Sequence, residues 1–184
     1  MATTHAAGRF GKGRQHGLTL LELTIVVAIT AIAAAAGGLS FTALIDARRL
    51  DSAATRLAAD IQLVRSEAIS RNRPLRLSIA AGAGASCWIV HSGSAADCRC
   101  DAAAGAVCVG SARAIKSVVL PDSERVSVAG NVTSIAFDPL HGTSTPTGTL
   151  RLIGARAAVH HIVNVVGRVR SCAPAGAVPG YSPC

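Results

Sequence analysis

Residues 17–45 read GLTLLELTIVVAITAIAAAAGGLSFTALI. One carboxylate, Glu22, stands near the start, and no charge follows until Asp46. About 20 apolar residues at ~1.5 Å rise per residue span a hydrocarbon core of roughly 30 Å. Such a run predicts a membrane-spanning helix. An ionisable side chain inside it costs on the order of 2.5–3.5 kcal/mol, so Glu22 reads as functional. The preceding residues carry Arg9, Lys12 and Arg14 and no acid. That bias keeps the leader cytoplasmic and sends the remainder across the membrane. An ordinary signal peptide would be cut after the run, at the small residues 33–38, and would leave Glu22 without a role.

The stretch Gly17-Leu18-Thr19-Leu20-Leu21-Glu22 resembles the processing site of type IV prepilins and type II secretion pseudopilins. The resemblance implies cleavage after Gly17 by prepilin peptidase and methylation of the new amino terminus at Leu18. It also implies that Glu22 pairs with a neighbouring subunit's terminal amine during filament assembly. Expected partners are other minor and major pilins or pseudopilins and the inner-membrane assembly platform. Leu18 departs from the family's usual Phe at the first mature position.

The chain has 184 residues and a formal charge of +8, enough for one domain beside a membrane helix. Loss of residues 1–17 removes three cations and no acid and leaves +5. Arginine supplies 16 of the 18 cations. Guanidinium forks match phosphate and carboxylate geometry, although codon bias enriches arginine equally well. The six cysteines, Cys87, Cys98, Cys100, Cys108, Cys172 and Cys184, all follow the apolar run. Outside the cytoplasm an even set reads as disulfides, with fifteen possible connectivities. Cys172 with Cys184 is the expected pair, because the two bracket a Pro/Gly-rich tail with little else to hold it. Cys98-Arg99-Cys100 has the wrong spacing for zinc, so no metal and no cofactor are expected.

Beyond the membrane the helix is expected to continue. Leu50, Ala54, Leu57, Ile61, Val64 and Ala68 recur at steps of three and four. Arg48, Arg49, Arg56, Asp60, Arg65 and Glu67 are expected on the solvent face. Gly37-Gly38 offers a point for a bend, and Pro74 sets the end near Asn72. After Pro74 the period becomes two, with strands expected at 75–79, 87–91, 115–120, 125–128 and 132–137. A hairpin is expected at 148–153 and 157–166 around Gly154-Ala155, with a last strand over 168–171. Residues 80–86 and 92–110 read as loops. The partition is a leader (1–17), a transmembrane and assembly helix (18–45), an amphipathic periplasmic half-helix (46–73) and a β-rich domain (74–184). The fold class is α+β, type IV pilin-like, with a long amino-terminal helix packed on an antiparallel sheet.

Four ordered pieces, Arg65-Ser66-Glu67-Ala68-Ile69, Ile135-Ala136-Phe137-Asp138-Pro139, Gly148-Thr149-Leu150 and Gly167-Arg168-Val169-Arg170, resemble the FimT/GspH family of minor pilins and minor pseudopilins. The GspH branch caps the pseudopilus of type II secretion. The FimT branch belongs to type IV pili, and some members bind DNA in natural transformation through a Gly-Arg-x-Arg motif that residues 167–170 match. The match implies that Gly167, Arg168 and Arg170 contact double-stranded DNA. On a strand the two arginines project to one side, roughly 6–7 Å apart. That separation is of the order of neighbouring phosphates on one strand of a duplex. Arg151 and Arg156 add cations in a stretch, 139–184, that holds no acid. His160 and His161 read as one core-facing and one exposed residue, with potential positive charge at mildly acidic pH. Backbone contacts of this kind would not read sequence, and Tyr181 is the one aromatic of the tail that can stack on a base.

No nucleophile elbow, zinc-binding His pair or phosphate-cradling loop is present in the sequence, so no enzyme is expected. The implied function is that of a FimT-like tip subunit that binds DNA. The alternative is a GspH-type pseudopilin without DNA binding. The implied location is the inner membrane, single-pass with a periplasmic carboxy-terminal domain, and then the filament tip.

Overall fold

The computed structural model describes residues 17, 19–82, 84–101, 105–174 and 178–184, with the side chains of 35–40 outside the description. The leader 1–16 and Leu18 therefore lie outside the described residues. Two compact units divide between Phe41 and Thr42.

Helix α1 (Leu20–Ser70) continues as helix through Gly37 and Gly38. In the first unit its apolar side chains, Leu21, Ile25 and Ile29 among them, are exposed. Among the described residues no helix is long and apolar enough to cross a membrane. The carboxyl end of α1 is set by its sequence. Asn72 takes a left-handed φ of 48°. The Asn72 amide donates to the Ile69 carbonyl and the Arg73 amide to the Ala68 carbonyl. This is a Schellman cap, and Pro74 follows because it cannot continue a helix.

In the second unit eleven strands follow α1: β1 (Leu75–Gly82), β2 (Ala85–His91), β3 (Cys98–Asp101), β4 (Gly105–Cys108), β5 (Ala114–Pro121), β6 (Val126–Gly130), β7 (Ser134–Phe137), β8 (Ser144–Thr145), β9 (Gly148–Gly154), β10 (Ala158–Val163) and β11 (Val169–Cys172). The expected sheet is divided in two. One has the order β5-β2-β1-β7-β8, the other β11-β10-β9-β6, and β3-β4 form a separate hairpin. All strand pairs are antiparallel.

One core joins Leu57, Ile61 and Val64 of α1 to Leu77, Trp88 and Phe137 of the larger sheet and to Leu150, Leu152 and Val159 of the smaller. Every buried apolar residue of the core lies at or beyond Leu50. Among the described residues, 42–184 thus carry the whole hydrophobic core.

Two expected loops are structured. Residues 80–86 are largely the ends of β1 and β2, paired as far as Gly82 with Ala85. Residues 92–110 contain the β3–β4 hairpin. The cysteines form Cys87–Cys100, Cys98–Cys108 and Cys172–Cys184, the last being the expected pair. The first bridge ties the hairpin to the outer face of β2. Ile89 packs there against Cys98 and Ala112, which is why β2 is buried on both faces beyond its first residue.

Candidate functional site

At the amino terminus Gly17 and Glu22 are exposed. Thr19 Oγ1 accepts a hydrogen bond from the Glu22 amide at 3.2 Å. The Thr19 carbonyl accepts the first helical bond, from the Leu23 amide. Thr19 is therefore the helix N-cap and Glu22 stands at the third helical position, where a carboxylate complements the positive end of the helix dipole. The spacing Thr-x-x-Glu of a capping box carried that signal in the sequence. Glu22 thus has a local stabilising role beside any role in assembly.

Arg170 lies in β11, the edge strand of the smaller sheet, and Arg168 immediately precedes that strand. Register pairs Arg170 with Ile162, and Ile162 with Thr149 of β9; the next row pairs His160 with Arg151. The alternation of a strand puts Arg168, Arg170, Ile162 and Arg151 on one outer face. All three arginines are exposed, and none has a side-chain partner among the described residues. Arg170 and Arg151 stand two strands apart, roughly 10 Å. Arg156 is also exposed, but it sits in the β9–β10 turn at the opposite end of β10 from Arg168, roughly 20 Å away along the strand. The structure groups three of the four arginines and separates the fourth.

Gly167 has a reason of its own. Its φ is +71°, and a Cβ there would strike the Gly142 carbonyl and the Arg65 side chain. Arg65, expected on the solvent face, instead donates from Nε to the Gly142 carbonyl at 3.0 Å. Asp138 closes the facing loop by accepting the Leu140 and His141 amides at 3.0 and 2.9 Å. These amide bonds, the His141 one foremost, hold its carboxyl below the usual carboxylate range. Asn164 Oδ1 accepts the Arg168 amide at 2.9 Å. Three of the four separated pieces of sequence therefore meet at one junction, and that junction fixes the start of β11.

The buried histidine does not extend the positive face. His161 is fully buried and burial pushes it down to about 4. Its Nδ1 meets Ser171 Oγ at 2.8 Å. The Ala54 carbonyl of α1 offsets part of the burial, yet no hydrogen bond of acceptable geometry reaches Nε2. His160 is on the outer face, and burial and then the Arg151 charge lower it as well. His161 is therefore neutral at mildly acidic pH, and the pair divides, as the sequence suggested, into one core-facing and one outer residue. Tyr181 is engaged too, donating from its hydroxyl to Asp51 Oδ1 at 3.1 Å. That contact and buried Val178 fasten the tail alongside its disulfide.

Sequence reasoning missed two polar clusters. Asp60, expected on the solvent face, is only 1 % exposed. Its Oδ2 accepts Trp88 Nε1–H at 2.8 Å and its Oδ1 accepts Lys116 Nζ at 2.5 Å. The arrangement ties α1 to β2 and β5. Beneath the disulfide hairpin Ser78 Oγ meets His91 Nε2 at 2.8 Å and Ser134 Oγ at 2.9 Å. His91, also fully buried, is lowered by desolvation above all. A serine beside a histidine invites comparison with nucleophilic catalysis. Ser78 and Ser134 are buried as well, so a substrate cannot reach the pair, which instead satisfies polar groups beneath the hairpin.

Comparison with known proteins agrees with this architecture. Residues 53–167 match the family model for the type II transport protein GspH, and residues 12–38 match the prokaryotic N-terminal methylation motif. No curated protein sequence shows significant similarity to the chain. A crystal structure of the type IV minor pilin FimU from Pseudomonas aeruginosa superposes with a TM-score of 0.50 at 19 % identity, covering 70 % of this chain and 94 % of that one. A second crystal form of FimU gives 0.48 at 20 % identity, covering 68 % and 98 %. The first superposition establishes the pilin fold, a long amino-terminal helix packed on antiparallel sheet.

Proposed function

Since the chain belongs to the GspH family of minor pilins and pseudopilins, membrane-anchored structural subunits rather than enzymes, we propose that it is a FimT-like minor type IV pilin that holds DNA at the filament tip. Prepilin peptidase removes residues 1–17, and Leu18 becomes the methylated terminus. Residues 18–45 anchor the subunit in the inner membrane with the second unit in the periplasm. Glu22 then draws the helix into a bundle of pilins by pairing with a neighbour's terminal amine. In an apolar surrounding such a pair is strongly favoured over either charge alone.

The observation that carries the DNA reading is the outer face of the smaller sheet. Arg168, Arg170 and Arg151 stand there without a side-chain partner among the described residues, in a stretch of chain that holds no acid from 139 to 184. Guanidinium groups on a face of one sign bind phosphate backbone without reading bases. Since Tyr181 is held by Asp51, duplex backbone is a better ligand for this face than stacked single strands.

The test is binding of duplex DNA to residues 42–184 across a salt series. The parent is expected to bind. Arg168→Ala with Arg170→Ala is expected to abolish most of it and to lower the salt slope by about 1.8, near 0.9 per lost phosphate contact. The extent of the GspH match, residues 53–167, favours a second reading as a pseudopilin that only builds the tip. Absence of binding by the parent at low salt selects that reading.

A further inference from the structure

A groove of about 540 Å³ opens in the second unit between α1 and the edge of the larger sheet. Arg48, Arg49 and Arg56 line it from one stripe of the helix, at the spacing that puts side chains on one face. All three are exposed, and none has a hydrogen bond or ion pair among the described residues. Leu44, Ile45 and Leu120 supply apolar wall, and Trp88 forms part of the lining. Glu124 is the one acid in the lining, so the groove carries a net charge of about +2 by side-chain count. The nearby Asp46 does not neutralise it, being paired to Arg125 at 3.2 Å.

Position in the sequence narrows the ligand. Ile45 ends the uncharged run, and Arg48 and Arg49 are the first cations after it. If residues 18–45 lie in the membrane, as the proposed function has them, these arginines come at the level of the headgroups. Basic residues beside an anchor are drawn to anionic lipid, and guanidinium groups take phosphate oxygens in paired hydrogen bonds. The geometry points to a binding site for one anionic phospholipid. The Arg48, Arg49 and Arg56 guanidinium groups hold its headgroup phosphate, and Leu44, Ile45 and Leu120 receive the start of an acyl chain. A filled site fastens the second unit to the bilayer surface, and withdrawal of the helix into a filament empties it.

The experiment uses the full chain, delipidated in a neutral detergent and titrated with dioctanoyl-phosphatidylglycerol, dioctanoyl-phosphatidylcholine or inorganic phosphate. Bound lipid is counted by native mass spectrometry, and Trp88, the single tryptophan, gives a second readout by fluorescence. Saturable binding of one phosphatidylglycerol is expected, at least tenfold tighter than phosphatidylcholine or phosphate. Arg48→Gln with Arg49→Gln and Arg56→Gln is expected to lose that tenfold preference while circular dichroism stays unchanged. Equal binding of both lipids overturns the proposal, as does a variant that keeps the preference. Phosphate binding as tight as the lipid means a free anion site and overturns it as well. Flotation of the full chain with phosphatidylcholine vesicles reports the anchor separately, so a failed anchor is told apart from a failed lipid site.

Discussion

The two sheets of the globular unit treat their outer faces in opposite ways. The larger sheet covers its face with the β3–β4 hairpin, fastened by Cys87–Cys100 and Cys98–Cys108. The polar groups beneath it are matched: His91 has partners on both ring nitrogens, Ser78 and the Ser92 carbonyl. Asp60 joins the same sheet to α1. The smaller sheet leaves most of its face open. Ile153 and Ile162 are exposed, and Arg151, Arg168 and Arg170 have no side-chain partner among the described residues. Only the Cys172–Cys184 bridge, with Cys184 Sγ 3.8 Å from His160 Nδ1, covers one end of it. The histidine on its inner side, His161, has one nitrogen without a partner. Covalent and polar ties are concentrated where the chain has nothing to offer a ligand. Where they are withheld, side chains of one charge remain free to act on something outside the molecule.

The largest effect that sharpens this contrast is expected from Asp60→Ala. It leaves the Lys116 ammonium and the Trp88 N–H without their acceptor, and breaking a buried pair by removing one partner costs about 3–5 kcal/mol. Urea melts of residues 42–184 measure it. His161→Leu on the other sheet is expected to change stability by less than about 1 kcal/mol, since it removes a polar group that is not fully satisfied. Equal losses from the two substitutions would mean that the sheets are fastened alike.

Next in size is the staple. Cys87→Ser with Cys100→Ser opens a link spanning 13 residues and is expected to cost about 3 kcal/mol in the chain-entropy account. DNA affinity is expected to stay within about twofold of the parent, because the hairpin is remote from the arginine-bearing face. Cys172→Ser with Cys184→Ser opens a link of similar size, spanning 12 residues, with a similar loss of about 3 kcal/mol. That bridge ends β11, so here binding is expected to weaken too. If both double mutants bind alike, the tail bridge does not position the arginines.

Acid acts on the same contrast from within. His161 is held down to about 4 by burial, against about 6.5 in an unfolded chain. Between those values the unfolded chain binds the extra proton. Stability is therefore complete above pH 6.5 and falls as pH drops toward 4, by roughly 2–3 kcal/mol after allowance for partial solvation. Urea melts from pH 7 to pH 4 follow the loss, and His161→Leu is expected to flatten most of it. The lowered His91 and His160 leave a smaller residual slope of the same sign.

The helix was legible because its signals are local. The three-and-four spacing marks the buried stripe of α1, Pro74 marks its end, and alternation marks β1. The pairing of Cys172 with Cys184 followed from a tail too poor in apolar residues to hold itself. The β3–β4 hairpin gave no such signal, for its strands are four residues each, built of Cys, Ala, Gly and charge with a single Val. Disulfides, not periodicity, fix it. Asp60 and Arg65 were misread for one reason. A charge on a helix reads as solvent-facing, and what draws it inward, Lys116 for one and Gly142 for the other, lies 56 and 77 residues away. The arginine face had the same blind spot, since four arginines in one acid-free stretch look alike until register sends Arg156 to the far end of the sheet.

Arg156 supplies the smallest expected effect and the finest test of the contrast. A duplex lying across the strands meets Arg170 and Arg151, roughly 10 Å apart, and misses Arg156. A duplex lying along β10 spans the roughly 20 Å from Arg168 to Arg156 and still covers Arg151, one strand away opposite His160. The grouped cations are arranged across the strands, Arg170 in the row of Ile162 and Thr149 and Arg151 in the next row beside His160. Arg156→Ala is therefore expected to leave the salt slope unchanged, while Arg151→Ala lowers it by about 0.9. A lower slope for Arg156→Ala keeps the DNA but turns it by a right angle, along β10. Equal slopes for both variants and the parent reduce the grip to Arg168 and Arg170 alone, an edge of β11 rather than a face.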